Sequence, residues 1–130
     1  HLSLRRQRQM CIRDRAYIAL HQQGHAHSIE VWSEGELVGG CYGVMVGQLF
    51  CGESMFNTQP NTAKVALVAL QQHLSTFATG YIDCQMMNPF LQQLGAEPLS
   101  RRTYLTLLAN HKALFCPAGS WKAQDIKLEF

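Results

Sequence analysis

A chain of 130 residues, 47% of them hydrophobic, can bury one core of ordinary size, so one domain is expected rather than two. Its five cysteines, at positions 11, 41, 51, 84 and 116, form no C-x-x-C pair and no disulfide framework of a small secreted scaffold, which reads as reduced thiols in a cytoplasmic protein. No apolar run approaches the roughly 18 residues of a membrane span, and the formal charge of +2 rests on the first fifteen residues, without which six basic and eight acidic residues leave −2.

That start, "HLSLRRQRQMCIRDR", holds Arg5, Arg6, Arg8, Arg13 and Arg15 against Asp14. A basic nucleic-acid-binding arm and a disordered tail are two readings of it. A third is preferred: "RRQRQMCIRDR" looks like translated sequencing-adapter read-through, so residues 1–15 are set aside from fold reasoning and the domain is taken as residues 16–130.

From residue 16 the pattern is orderly. "AYIALHQQGHA" has Tyr17, Leu20 and His21 at helical spacing and stops at Gly24. Ile29 and Val31, the turn "SEGE", Leu37 and Val38, then Tyr42, Val44 and Val46 at period two, then "GQ" and "LFCGESMF" predict an antiparallel meander of three strands. After the turn-rich "NTQPN", apolar residues at 63, 66, 67, 70, 74 and 77 mark a helix with Asn61 or Thr62 as its cap. "TGYIDCQ" is a fourth strand, "MMNPFLQQLGAEPLS" a short helix ending near Gly95, and "RRTYLTLLANHKALF" a last helix.

This order gives an α+β fold with a mixed sheet, an antiparallel meander and one βαβ unit over residues 48–85. Its two strands, if paired, are parallel with a right-handed crossover, and their carboxyl ends share the sheet edge where ligands bind. Glu53 and the pair Asp83 and Gln85 fall there. Strand alternation puts Asp83 and Gln85 on one face and Ile82 with Cys84 on the other, which makes Cys84 a core residue.

"HSIEVW", "LVGGCYGVMVGQLFCGESMF", "NTAKVALVAL" and "YIDCQMMNPFLQQLGAEPLSRRTYLTLL", in this order and spacing, closely resemble the leucyl/phenylalanyl-tRNA protein transferase family over about residues 16–120. The resemblance implies an aminoacyltransferase that moves Leu or Phe from aminoacyl-tRNA to proteins with N-terminal Arg or Lys, marking them for degradation. It implies an acetyltransferase-like (GNAT-like) fold and a separate N-terminal domain that is almost entirely absent here. Its catalytic residues fall on Asp83, Gln85 and Glu53, and its apolar pocket for the transferred side chain on Cys41, Phe50, Gly52, Met55 and Leu67. Where the family commonly has methionine this chain has Cys41, which implies a roomier or differently shaped pocket. "TAK" and Phe90 are smaller departures. No cofactor, metal or membrane is implied; the partners are leucyl- and phenylalanyl-tRNA and the acceptor protein, and the protein is expected to be a cytoplasmic monomer.

The residues taken alone leave competing roles. Asn88 either touches substrate or caps the helix that begins at Pro89. Glu53 either serves the site or pairs with Lys64, and Arg101 with Arg102 either meets tRNA phosphates or is simply solvated. His25 and His27 form H-x-H without other ligands at zinc spacing, and a structural role is preferred. An acyl-coenzyme A-dependent N-acyltransferase is the alternative activity, disfavoured because "NTQPNT" has no glycine to cradle a pyrophosphate. A catalytically inactive fragment is the other, since a net −2 offers little electrostatic grip on tRNA.

Overall fold

The structure, a computed structural model, describes residues 15–126 apart from 79 and 86. Of residues 1–15, read as adapter read-through, 1–14 lie outside the described residues, and Arg15 is described as the first residue of a helix. Residues 15–22 are helical (α1). There follow β1 (Ala26–Ser33), β2 (Glu36–Val46), β3 (Leu49–Asn57), α2 (Thr62–Ser75), β4 (Ile82–Asp83), α3 (Pro89–Gln93) and α4 (Arg101–His111). The sheet runs β1-β2-β3-β4, antiparallel except for the parallel pair of β3 and β4. An α+β fold with a mixed sheet is thus what the sequence pattern predicts and what forms.

The hairpins follow from their turn residues. Between Ser33 and Glu36, which pair, Glu34 (φ 51°) and Gly35 (φ 79°) are both left-handed, as a type I′ turn requires. Between Val46 and Leu49 the first turn residue is Gly47 (φ 60°), the pattern of a type II′ turn. A Cβ on Gly47 would also overlap the backbone of His111 and Lys112, because the end of α4 seats on this turn through a Gln48 N–H to His111 carbonyl bond of 3.1 Å.

One face of α2 meets the sheet. Ala66, Ala69, Leu70 and Leu74 recur at helical spacing and pack on Ile29, Cys41 and Phe50 to form the core. The start of this helix departs from the expected cap. Asn61 stands at the cap position in a left-handed conformation (φ 67°) with no capping hydrogen bond from its side chain. Thr62 instead turns its hydroxyl inward, 2.7 Å from the Val38 carbonyl and 2.8 Å from that of Gln59. The Val38 carbonyl also accepts the Thr58 N–H at 2.8 Å on the β3 side, so it serves both donors, beside a bulge in which Val31 pairs with Gly39 and Trp32 with Leu37.

The βαβ unit exists, but β4 pairs through only two residues, Ile82 with Phe50 and Asp83 with Cys51. It lies between left-handed Gly80 (φ 77°) and left-handed Gln85 (φ 64°).

The segment after α4 carries a packing feature that periodicity does not reveal. Trp121 returns to the core and stacks flat on His27, centroids 4.3 Å apart, with Phe77 and His73 edge-on to it. His73 also reaches the Ser120 carbonyl at 2.7 Å. His27 is therefore a packing residue, its ring nitrogen 3.0 Å from the Gly24 carbonyl.

Burial, opposed by the Gly24 carbonyl contact and reinforced by nearby His21 and His25, lowers the His27 pKa from 6.5 to about 4. The folded state thus favours neutral His27, so its contribution is complete above pH 6.5 and is lost as pH falls toward 4. Stability measured by urea unfolding should drop by about 2 kcal/mol between pH 7.5 and 5 from this residue, and His27→Gln should flatten that part of the profile.

Candidate functional site

The carboxyl end of β4 meets β3 near its start, at Phe50 and Cys51, so Glu53 lies mid-strand and not at the shared carboxyl edge the sequence suggests; there a second bulge sets the geometry. Tyr42 pairs with Ser54 and Gly43 with Gly52, so Glu53 is the extra residue on β3. Glycine at position 43 permits the close approach, since a Cβ there would collide with the Cys51 carbonyl and the Phe50 ring. The irregularity sets Glu53 at the bulge and presents the Gly52 carbonyl to the neighbouring chain segment.

Opposite it, β4 ends at Asp83 and turns. Asp83 Oδ1 accepts the backbone N–H of Gln85 at 2.8 Å, an Asx turn that holds Gln85 left-handed. That conformation costs a non-glycine residue roughly 1–2 kcal/mol. The Gln85 carboxamide offsets the cost by donating through Nε2 to the Gly52 carbonyl (2.8 Å) and to Glu53 Oε2 (3.3 Å). The three expected residues Asp83, Gln85 and Glu53 are therefore brought together. The cause is a turn and not strand alternation: the pleat ends before Cys84, which is partly exposed and not the core residue that alternation predicts.

Orientation of the Gln85 amide follows from its partners. A carbonyl and a carboxylate only accept, so the NH2 end must face Gly52 and Glu53. Oε1 is then the end turned to accept from elsewhere.

Tyr104 on α4 completes the arrangement and was not singled out by sequence. Its phenol donates to Asp83 Oδ2 at 2.8 Å. That bond, followed by burial and the charge of Asp83, pushes the Tyr104 pKa up to about 12, so it stays a donor at neutral pH. Its helical spacing with Leu107, Leu108 and His111 marks an inward face, but nothing local connects it to Asp83.

A cavity of about 870 Å³ opens between β4 and the α3–α4 segment, with Tyr81, Asp83 and Gln85 on one side and Glu97, Leu99 and Tyr104 on the other. The residues expected to form an apolar pocket are elsewhere. Cys41 (5% exposed) and Phe50 (1%) belong to the core, and Met55 and Leu67 pack against it, partly buried. Cys41 and Met55 are cross-strand partners, and Gly52 is at the bulge, where a Cβ would lie 3.3 Å from the Asp83 carbonyl. Asn88 caps α3, its Oδ1 accepting the Leu91 N–H at 2.8 Å. Lys64 lies over the Phe90 ring, 5.8 Å from its centre. Arg101 and Arg102 are exposed at the start of α4.

The thiols do not look like nucleophiles. Burial, reinforced by the charge of Asp83, raises the pKa of both Cys51 and Cys84, which depletes the thiolate. Among the described residues no group of three or more His, Cys, Asp or Glu side chains is placed to hold a metal ion, and no helix is long and apolar enough to cross a membrane. What the site offers is a polarised carboxamide, two carboxylates and a phenol donor beside an open cavity.

The sequence profile of the leucyl/phenylalanyl-tRNA protein transferase family matches residues 9–109. Similar curated proteins carry the name leucyl/phenylalanyl-tRNA–protein transferase. That of Shewanella pealeana is 46% identical over 114 residues, covering 88% of this chain and 48% of the relative. Those of Shewanella denitrificans and Shewanella frigidimarina are each 50% identical over 115 residues, covering 88% of this chain and 49% of the relative. The chain spans about half the length of the curated relatives it matches.

Burial first of all raises the Cys41 pKa from 9 to about 11. Iodoacetamide at pH 8 should therefore leave Cys41 unmodified in the native chain and label it after unfolding in urea, read by peptide mass spectrometry. Native labelling as fast as at Cys84 would mean that Cys41 lines open space rather than the core.

Proposed function

This chain belongs to the leucyl/phenylalanyl-tRNA protein transferase family, and on that premise we propose that it contributes the catalytic centre for moving Leu or Phe from aminoacyl-tRNA to proteins with N-terminal Arg or Lys. Such transfer marks its acceptors for degradation. An acetyltransferase-like core suits the reading, since the mixed sheet places the carboxyl end of β4 parallel to and beside β3 at the site. We place the protein in the cytoplasm as a monomer.

The chemistry is aminolysis of an ester already activated by attachment to tRNA. The neutral α-amine of the acceptor attacks the carbonyl carbon, the C–N bond forms, and the C–O bond to the terminal ribose breaks. The amine proton ends on the departing ribose oxygen, so no enzyme-bound intermediate is needed. What remains for the protein is positioning and electrostatics. The hydrogen-bonded chain from Tyr104 through Asp83 to Gln85, and from Gln85 to Gly52 and Glu53, is the observation that carries the assignment.

Within it Gln85 Oε1 accepts an N–H of the attacking amine and aims its lone pair. Glutamine has no useful basicity, so it orients and does not deprotonate. Both oxygens of Asp83 already accept from neutral donors, which fixes the carboxylate in place while leaving its charge uncancelled. Asp83 therefore acts by orienting Gln85 and by attracting the acceptor's positive end, with Glu97 across the cavity adding a second negative charge. Proton transfer falls to the tRNA ribose hydroxyl.

The side chain of the transferred residue is assigned to Gly52, Met55 and Leu67, with Cys41 and Phe50 closed in the core behind them. Met55 and Leu67, the partly buried members, are those able to yield, and methionine adapts readily to different shapes. A contact of Asn88 with the acceptor is left to its amide NH2, its Oδ1 being engaged in the helix cap. Coenzyme A-dependent acylation has less support, because the connection before α2 has no glycine and Thr62 at the helix start is directed to Val38 and Gln59.

The test is transfer of labelled Leu and Phe from charged tRNA to an Arg-initiated peptide, run in the intact protein beside acetyl-coenzyme A as donor. Gln85→Ala should slow transfer by roughly 100-fold, as loss of an oriented transition-state contact does, and Asp83→Asn and Glu53→Gln by about tenfold each. Full activity of Gln85→Ala, or acetylation in place of aminoacyl transfer, would overturn the assignment.

A further inference from the structure

We infer that Tyr104 is a positioning residue for this site: its phenol holds the Asp83 carboxylate in the rotation that keeps Gln85 in its left-handed conformation. The inference rests on the reading of Asp83, Gln85 and Glu53 as the catalytic centre. Its basis is separate, however, because it follows from how the carboxylate is shared.

A carboxylate at the end of a two-residue strand is free to rotate unless both oxygens are held. Oδ1 is held by the Gln85 N–H, at 2.8 Å. That bond alone leaves the second oxygen free to swing and compete for the same N–H. The Tyr104 hydroxyl, 2.8 Å from Oδ2, removes this freedom. With Oδ1 fixed, the Asx turn persists, Gln85 remains at φ 64°, and its Nε2 reaches Gly52 and Glu53.

Tyr104 is suited to the task by where its helix is anchored. Ser100 caps the start of α4 by accepting the Thr103 N–H at 3.2 Å. The far end rests on the β2–β3 turn, where His111 accepts the Gln48 N–H and Gly47 leaves no room for a side chain. The phenol is thus delivered from a helix capped at its start and seated at its far end on the β2–β3 turn, to a strand held by two residue pairs. The same contact ties α4 to β4 across the mouth of the cavity.

Tyr104→Phe keeps the ring and its packing and removes only the donor. In the intact protein kcat for Leu or Phe transfer should fall about tenfold, the effect of losing one hydrogen bond to a charged group, while KM for the aminoacyl-tRNA changes less than twofold. The same substitution in an Asp83→Ala background should cause no further loss, because Tyr104 acts through Asp83. In 15N-resolved NMR spectra of Tyr104→Phe, the Gln85 backbone and side-chain amide signals should shift while those of Ala66 and Leu70 stay in place. A kcat within twofold of the parent, or unmoved Gln85 signals, overturns the inference. If Gln85→Ala keeps full transfer activity, it is the catalytic assignment that fails, a result separable from the NMR outcome for Tyr104.

Discussion

Everything distinctive about this site depends on one residue held where its backbone does not prefer to be. Gln85 is left-handed, at a cost of roughly 1–2 kcal/mol for a residue with a Cβ, and three hydrogen bonds keep it there. Relaxing Gln85 to an extended conformation would prolong β4 and carry the carboxamide away from Gly52 and Glu53. Backbone strain retained by surrounding contacts is a usual feature of functional sites, because the surroundings that hold it also define a single geometry.

The sheet supplies those surroundings by being irregular in the right places. Beside one extra residue in β2, the Val38 carbonyl accepts both the Thr58 N–H and the Thr62 hydroxyl and thereby fixes where α2 begins. One extra residue in β3 sets Glu53 beside Gln85. Glycine at positions 43 and 47 permits the accompanying close approaches, to Cys51 and Phe50 in one case and to the end of α4 in the other. The core of Ile29, Cys41, Phe50 and α2 then resists deformation from below, so polar groups at the edge stand on a rigid base.

Two neutral donors on Asp83 also explain how a carboxylate can be immobile yet remain electrostatically effective. An ion pair would fix it equally well but cancel the charge that an incoming cationic group could use. An N–H and a phenol fix the geometry and leave the charge in place. Glu97 across the cavity keeps the same sign on both walls.

Periodicity and turn chemistry were enough to read most of the architecture. Alternation at 42, 44 and 46, glycine-marked turns at 35 and 47, and the apolar stripe of α2 are local signals, and they produced the meander and the crossover helix. Likeness to a family pointed to Asp83, Gln85 and Glu53 as candidates, because side-chain identity at a given spacing survives in a linear string. Only the folded chain decided how they meet. Alternation misjudged Cys84 because a strand's period holds only while the strand continues, and β4 stops at Asp83. Tyr104 lies 21 residues from Asp83, and Ser120, next to Trp121, lies 47 residues from His73; both contacts arise from how helices and a returning tail settle on the sheet. A sequence records which groups are available and which local conformations they favour, whereas hydrogen bonds between distant segments depend on packing that no local window contains.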